Sequence, residues 1–286
     1  MNSRNVSSTT NLFKSPLLYS FLIPFLYWMY LLGTTQMVIV FDGKTYQTIS
    51  RILYERGWVG YLTSGPHNEP LYPLIISSSM HLSDYLPFSY EKILNFIQII
   101  ILALTQFLAM HLLRKLQIRT SLAALTLFYI GISPALVNAA FSHWSEISAL
   151  PWVIGIILVS VDAWIAIQRN NRQHVFLLSI LLSFLFIGVT SVKAIFEYVF
   201  YVYMLAFVFL ILYGAVKQKR ITSLAVLFCV ITISIFQLFI FSYKFYPTIN
   251  TVFVNLIAVN SFVISFRLFY GKLIVISPSR RIVVYR

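Results

Sequence analysis

Residues 93–113, ILNFIQIIILALTQFLAMHLL, contain no Asp, Glu, Lys or Arg and are closed by Arg114-Lys115. A helix rises about 1.5 Å per residue and the hydrocarbon core of a bilayer is roughly 30 Å thick, so a run of this length can cross a membrane. Its apolarity is continuous rather than alternating, which predicts a helix and not a barrel strand. Comparable runs near 17–40, 121–141, 148–168, 175–192, 194–216, 221–242 and 251–269 bring the expectation to about eight spans. With 59% hydrophobic and only 10% charged residues, 286 residues carry more apolar surface than a soluble core of that length could bury. The expected fold is therefore all-α, a polytopic transmembrane helix bundle. The first run is too long for the apolar stretch of a signal peptide and lacks a small-x-small cleavage site, so it reads as an uncleaved anchor.

The net charge of +13 would suggest nucleic acid in a soluble chain. Here the basic residues cluster in alternate connections: Arg4 and Lys14, Arg114/Lys115/Arg119, Arg169/Arg172, Lys217/Lys219/Arg220, and Lys272/Arg280/Arg281/Arg286. The excess of Lys and Arg on cytoplasmic loops predicts that both termini are cytoplasmic, with no nucleic-acid role for the charge. Residues 1–16 then form a cytoplasmic N-terminus, 17–269 the membrane domain and 270–286 a basic cytoplasmic tail. Six of the eight carboxylates (Asp42, Glu55, Glu69, Asp84, Glu91 and Glu146) fall outside. Cys229 is the sole cysteine, which excludes an intrachain disulfide and a cysteine-cluster metal site.

The long external loop after the first span, residues 41–92, stands apart from connections mostly under ten residues. Tyr46, Ile49, Ile52 and Leu53 recur at helical spacing, which predicts an amphipathic helix over Thr45–Arg56 at the outer membrane surface, its polar face carrying Gln47, Arg51 and Glu55. Gly57, Gly60 and Gly65-Pro66 then predict turns. Pro70-Leu71-Tyr72-Pro73 leads into an apolar segment, 74–82, too short to span. This path folds the loop back and brings Asp42 and Glu69 toward one site.

An Asp at the outer end of the first span, a Tyr four residues on, and then Glu69-Pro70-Leu71-Tyr72-Pro73 resemble the first external loop of GT-C-type membrane glycosyltransferases, the superfamily of protein mannosyltransferases and lipid A aminoarabinose transferases. The likeness extends over roughly residues 17–216. Lys92-Ile93-Leu94-Asn95 with the basic stop at Arg114-Lys115 is similar to the family's second span, and Trp144-Ser145-Glu146 resembles a Ser/Thr-Glu turn between later spans. Gly188-Val189-Thr190-Ser191-Val192-Lys193 is similar to a Gly-x-x-x-Thr-Arg/Lys element, with two extra residues before the base. The resemblance implies a sugar moved from a polyprenyl-phosphate-linked donor to a glycan, lipid or protein acceptor on the external, periplasmic face. It also implies that Asp42 is the catalytic carboxylate.

A lipid-phosphate sugar already carries a good leaving group, so the demanding step is to deprotonate and aim the acceptor, a task for one placed carboxylate. Asp42 is the candidate base; its alternative is an interfacial helix-end residue. Glu69 is placed either to orient the acceptor or to ligate a divalent cation, and its alternative is a pair with Arg51 or Arg56. His67 is a weaker acceptor or metal candidate, since no His-x-x-x-His spacing accompanies it. Glu146, beside His143 and Trp144, either lines the same cavity or simply begins a helix, with Ser145 or Ser148 as cap. The donor phosphate needs cations, for which Arg51, Arg56, Lys92, Lys193 and Lys244 are the basic residues expected outside. The alternative for Lys193 is a pair with Glu197, four residues on, and Asp162 is expected to snorkel to the cytoplasmic interface or to pair with Arg169.

Two further classes compete. A transporter or flippase of lipid-linked glycans would carry internal repeats and midplane polar residues, whereas the polar residues here gather toward one face. A short or truncated, non-catalytic relative is the third, because many members carry more spans and an external domain. The multi-span layout and the lack of a credible external glycosylation sequon point to a bacterial inner membrane.

Overall fold

The computed structural model describes residues 16–37, 39, 42–63, 69–215 and 228–237. Among these the chain is helical, without strands: α1 (Pro16–Thr34), α2 (Asp42–Thr63), α3 (Leu71–Ser83), α4 (Tyr90–Lys115), α5 (Thr120–Ile132), α6 (Pro134–Ala140), α7 (Glu146–Gln168), α8 (Arg172–Val192) and α9 (Ile195–Ala215). A further helix covers Phe228–Gln237. Four of them, α1, α4, α7 and α8, are long and apolar enough to cross a membrane, and the α5–α6 pair makes a fifth if read as one bent span. The expected span at 194–216 falls on α9, whose described apolar stretch, Ile195–Phe207, is shorter than a crossing; the span expected at 251–269, most of 221–242, both termini, His67 and Lys244 lie outside the described residues.

The expected continuous span over 121–141 is broken. Pro134 cannot donate a backbone hydrogen bond and its ring disfavours helical ψ at the preceding residue, so Ser133 sits at ψ 120° and α5 and α6 meet at 47°. Pro134 then takes the first position of α6, where a missing N–H costs nothing.

The described residues divide into two compact units, those lying in 1–165 and 184–203 and those lying in 166–183 and 204–286. In the first unit α1 packs against α5 and α4. Trp28, 1% exposed, donates its indole N–H to the Gly131 carbonyl at 2.7 Å, and Gln106 of α4 donates to the Leu127 carbonyl at 2.8 Å. Both bonds satisfy polar groups where lipid could not. Trp28 of α1, Ile99 and Leu102 of α4, Val137 of α6, Phe141 just after it and Ile147 of α7 form a core cluster. α4 is favourable at both ends, with Glu91 in its first turn and Arg114 and Lys115 in its last, each opposing the helix dipole. Asp162 of α7 pairs with Lys115 of α4 instead of the expected Arg169. In the second unit, Phe207 and Phe228 stack with ring centroids 4.9 Å apart, and Ser183 of α8 donates to the Thr232 carbonyl at 3.4 Å.

The segment expected as a loop is mostly helix. α2 begins at Asp42, three residues before the expected start, and continues past Arg56 to Thr63, bent at Gly57, whose φ of 63° suits glycine. Its apolar face is used inside the protein: Tyr46 packs on Tyr72, Ile76 and Leu94, while Ile49 and Leu53 pack with Tyr61 and Leu74. The exposed stripe is Lys44, Thr48, Arg51 and Glu55. Gln47, expected on that stripe, turns inward and donates to the Tyr90 hydroxyl at 2.6 Å.

Candidate functional site

A cavity of about 200 Å³ is lined by Asp42, Gly43 and Tyr46 of α2, by His143, Trp144 and Ser145 of the α6–α7 connection, and by Glu146. Asp42 is the first residue of α2 and Glu146 the first of α7, so two helix N-termini open onto the same space. Each carboxylate there is stabilised by the positive end of its helix, by about 0.3–1 kcal/mol at an exposed position. Asp42 and Glu146 are exposed, while Tyr46, His143 and Ser145 are buried in the walls.

The walls are held by hydroxyls and one close backbone approach. Tyr46 Oη and Ser145 Oγ lie 3.2 Å apart, tying α2 to the connection. Tyr72 packs edge-on against Tyr46 at 5.0 Å and accepts a 2.9 Å bond from Gln98, which also donates to the Ser142 carbonyl at 3.2 Å. Gly43 is required where it stands: a Cβ there would lie 2.7 Å from that of His143. Burial pushes the Tyr46 phenol up, against the Ser145 bond and with the charge of Glu69, so it stays a neutral hydroxyl. Burial likewise depresses His143, favouring the neutral imidazole despite its approach to the Gly43 carbonyl and the charge of Glu91.

Lys193 follows the last residue of α8 and pairs with Glu146, a partner outside the reach of helical spacing. Burial works to lower its pKa, but the hydrogen bond and charge of Glu146 outweigh this and raise it, with smaller contributions from Tyr46 and Asp42. Next in the chain, the Ala194 N–H donates to Glu69 Oε1 at 2.8 Å, in place of the Arg51 or Arg56 pairing considered for that carboxylate. Ala194 immediately precedes α9, so a third helix N-terminus meets the same group of residues.

Asp42, Glu146 and Lys193 are thus gathered, with Glu69 close enough for its charge to act on Tyr46. Arg51, Arg56 and Lys92 are exposed and do not line the cavity. No three His, Cys, Asp or Glu among the described residues group as a metal would need. Sequence reading missed the supporting Tyr72–Gln98 pair, although Gln98 inside an apolar run was itself a signal, since polar groups at membrane depth need partners. It also missed the backbone of Ala194, which no residue type announces.

Because the side chains of Lys193 and Glu146 remain 33% and 46% exposed, their pair should add little stability. Lys193→Gln is expected to lower unfolding free energy by less than about 1 kcal/mol, read from thermal unfolding in detergent or nanodiscs. A larger loss would show that the pair holds the fold together.

Compared with protein-family models, with curated proteins and with solved structures, the chain matches none.

Proposed function

We propose that this chain is a membrane glycosyltransferase that moves a sugar from a polyprenyl-phosphate carrier to an acceptor on the external face of the bacterial inner membrane. The observation that carries the reading is one small cavity lined by Asp42 and Glu146, the first residues of α2 and α7, with Lys193 paired to Glu146. Lys193 is a cation available to the phosphate that a lipid-linked sugar brings, in exchange for its pairing with Glu146. The cavity is smaller than the roughly 300–1,000 Å³ of clefts that enclose drug-sized ligands. That size suits one sugar ring or phosphate, with the carrier chain left in lipid.

In the proposed reaction the acceptor hydroxyl or amine attacks the anomeric carbon while Asp42 takes its proton. The bond between that carbon and the phosphate oxygen breaks, and the phosphate leaves with the electron pair and with inversion at carbon. Lys193 offsets the charge that accumulates on the departing phosphate, and Tyr46 and Ser145 offer neutral hydroxyls to the sugar.

The test is a sealed-vesicle assay with the full chain and a panel of polyprenyl-phosphate sugars, measuring glycosidic product and transbilayer movement separately. New glycoside on an externally supplied acceptor supports the proposal. Movement of the carrier without product would overturn it in favour of a flippase, and neither product nor movement in a folded protein would favour a non-catalytic subunit.

A further inference from the structure

The connection between α3 and α4 has two faces. On one, Asp84 accepts hydrogen bonds from the Tyr54 hydroxyl at 3.0 and 3.1 Å, and the His81 ring lies 4.6 Å from that of Tyr54, which ties the connection to α2. On the other, Leu82, Tyr85, Leu86 and Phe88 are 43%, 86%, 45% and 57% exposed. An apolar patch of this kind rimmed by polar contacts marks an interaction surface.

What meets it follows from the helix that begins two residues later. The exposed stripe of α4 is Lys92, Phe96, Ile100, Leu104, Phe107 and His111, at steps of three and four residues along one face. Its apolar part is bounded by Lys92 and His111, and the 19 residue steps from one to the other (111 − 92) correspond to about 28 Å of helix, close to the thickness of the hydrocarbon core. A stripe of that length and apolarity suits lipid, which would put Lys92 at the level where α4 leaves the hydrocarbon. Phe88 lies four residues, about one turn, beyond Lys92, and Tyr85 and Leu86 lie just past it. This is the headgroup level, where aromatic rings with one apolar and one polar edge are favoured.

We infer that the α3–α4 connection is an interfacial membrane anchor: Tyr85, Leu86 and Phe88 enter the headgroup zone of the leaflet nearest the cavity. The partner is the lipid surface itself. The end of the molecule is fixed by Tyr90 of α4, which accepts from Gln47 of α2 and lies 6.2 Å, ring to ring, from His143 of the cavity wall. The apolar face of α2 is packed on α3 and α4, so this connection takes the membrane-surface role that the sequence assigned to α2. Through Tyr54 and Asp84 it would hold α2, and with it Asp42, at a set height above the bilayer. The inference does not depend on the reaction proposed above.

The experiment uses the full chain in lipid nanodiscs, with Cys229→Ser so that single introduced cysteines can be spin-labelled. Labels are placed by Tyr85→Cys and Phe88→Cys, with Leu104→Cys as a lipid-facing reference and Glu55→Cys as a water-facing one. Collision with oxygen and with a water-soluble nickel chelate is measured for each. At positions 85 and 88 the ratio of oxygen to nickel accessibility should exceed that at 55 several-fold and fall below that at 104. A nickel accessibility equal to that at 55 would overturn the inference, and so would protection from both reagents, which would mean that protein covers the patch. Should labelling perturb the fold, Tyr85→Trp supplies a second measurement: its added emission should be quenched more by lipids brominated near the headgroup than by lipids brominated near the chain end. Absence of quenching by either overturns the anchor equally.

Discussion

Asp42→Asn should lower transfer by about 10²–10⁴-fold, the range that a positioned general acid or base contributes, while the protein still accumulates in the membrane. Asn keeps the size of the side chain and its place at the start of α2, so the cavity walls formed by Tyr46, His143 and Ser145 stay as they are. What disappears is the group able to take the acceptor's proton. The cost to folding is confined to the lost interaction between a carboxylate and the helix dipole, about 0.3–1 kcal/mol at an exposed end. Turnover by the variant in the vesicle assay, compared with its thermal unfolding, separates the two effects. Retained turnover would remove Asp42 from the chemistry, and with it the reaction assigned to the cavity.

The second large effect is structural. Gly131 of α5 lies where α1, α4 and α5 meet, and a Cβ added there would stand 2.3 Å from Gln106 Nε2 and 2.4 Å from Pro24 Cβ. Neither neighbour can easily give. Pro24 is a rigid ring inside α1, and the Gln106 amide is buried and bonded to the Leu127 carbonyl. Any shift that relieves the clash also strains the bond from Trp28 to the Gly131 carbonyl. Overpacking of this kind costs about 1–3 kcal/mol and a lost buried hydrogen bond about 1 more. Gly131→Ala is therefore expected to lower stability by about 2–4 kcal/mol on the same arithmetic, and Gly131→Leu to prevent accumulation. Gly33, with nothing within 4 Å of an added Cβ, is the control: Gly33→Ala should change stability by less than about 1 kcal/mol. Equal losses at both positions would mean that helix propensity, not the close approach at Gly131, governs the response.

The membrane-spanning helices were legible because a bilayer imposes length and apolarity locally, and 93–113 met both conditions without any knowledge of its neighbours. Ser133-Pro134 could also be read, since proline acts on the residue before it, but a hydropathy window averages that break away. The register of α2 was visible in Tyr46, Ile49 and Leu53. Its burial against α3 was not, because lipid and protein both accept an apolar face. The site divides in the same way. Asp42 stood out as a carboxylate at the end of an apolar run, whereas Lys193 finds Glu146 across 47 positions and Ala194 finds Glu69 across 125. Spacing rules reach only three or four residues along a helix, so they offered Glu197 to the lysine and could not reach Ala194 from Glu69.

That long reach has a consequence for the order in which the protein is made. Asp42 leaves the ribosome 151 residues ahead of Lys193 (193 − 42), which at roughly 5–20 residues per second is an interval of about 8–30 s. Within it, Glu69 waits 125 residues for Ala194 and Glu146 waits 47 for Lys193, the groups they bind in the finished fold. Every residue that lines the cavity is therefore made before Lys193, and a nascent chain halted ahead of α9 carries the lining with Glu69 and Glu146 still lacking these two partners.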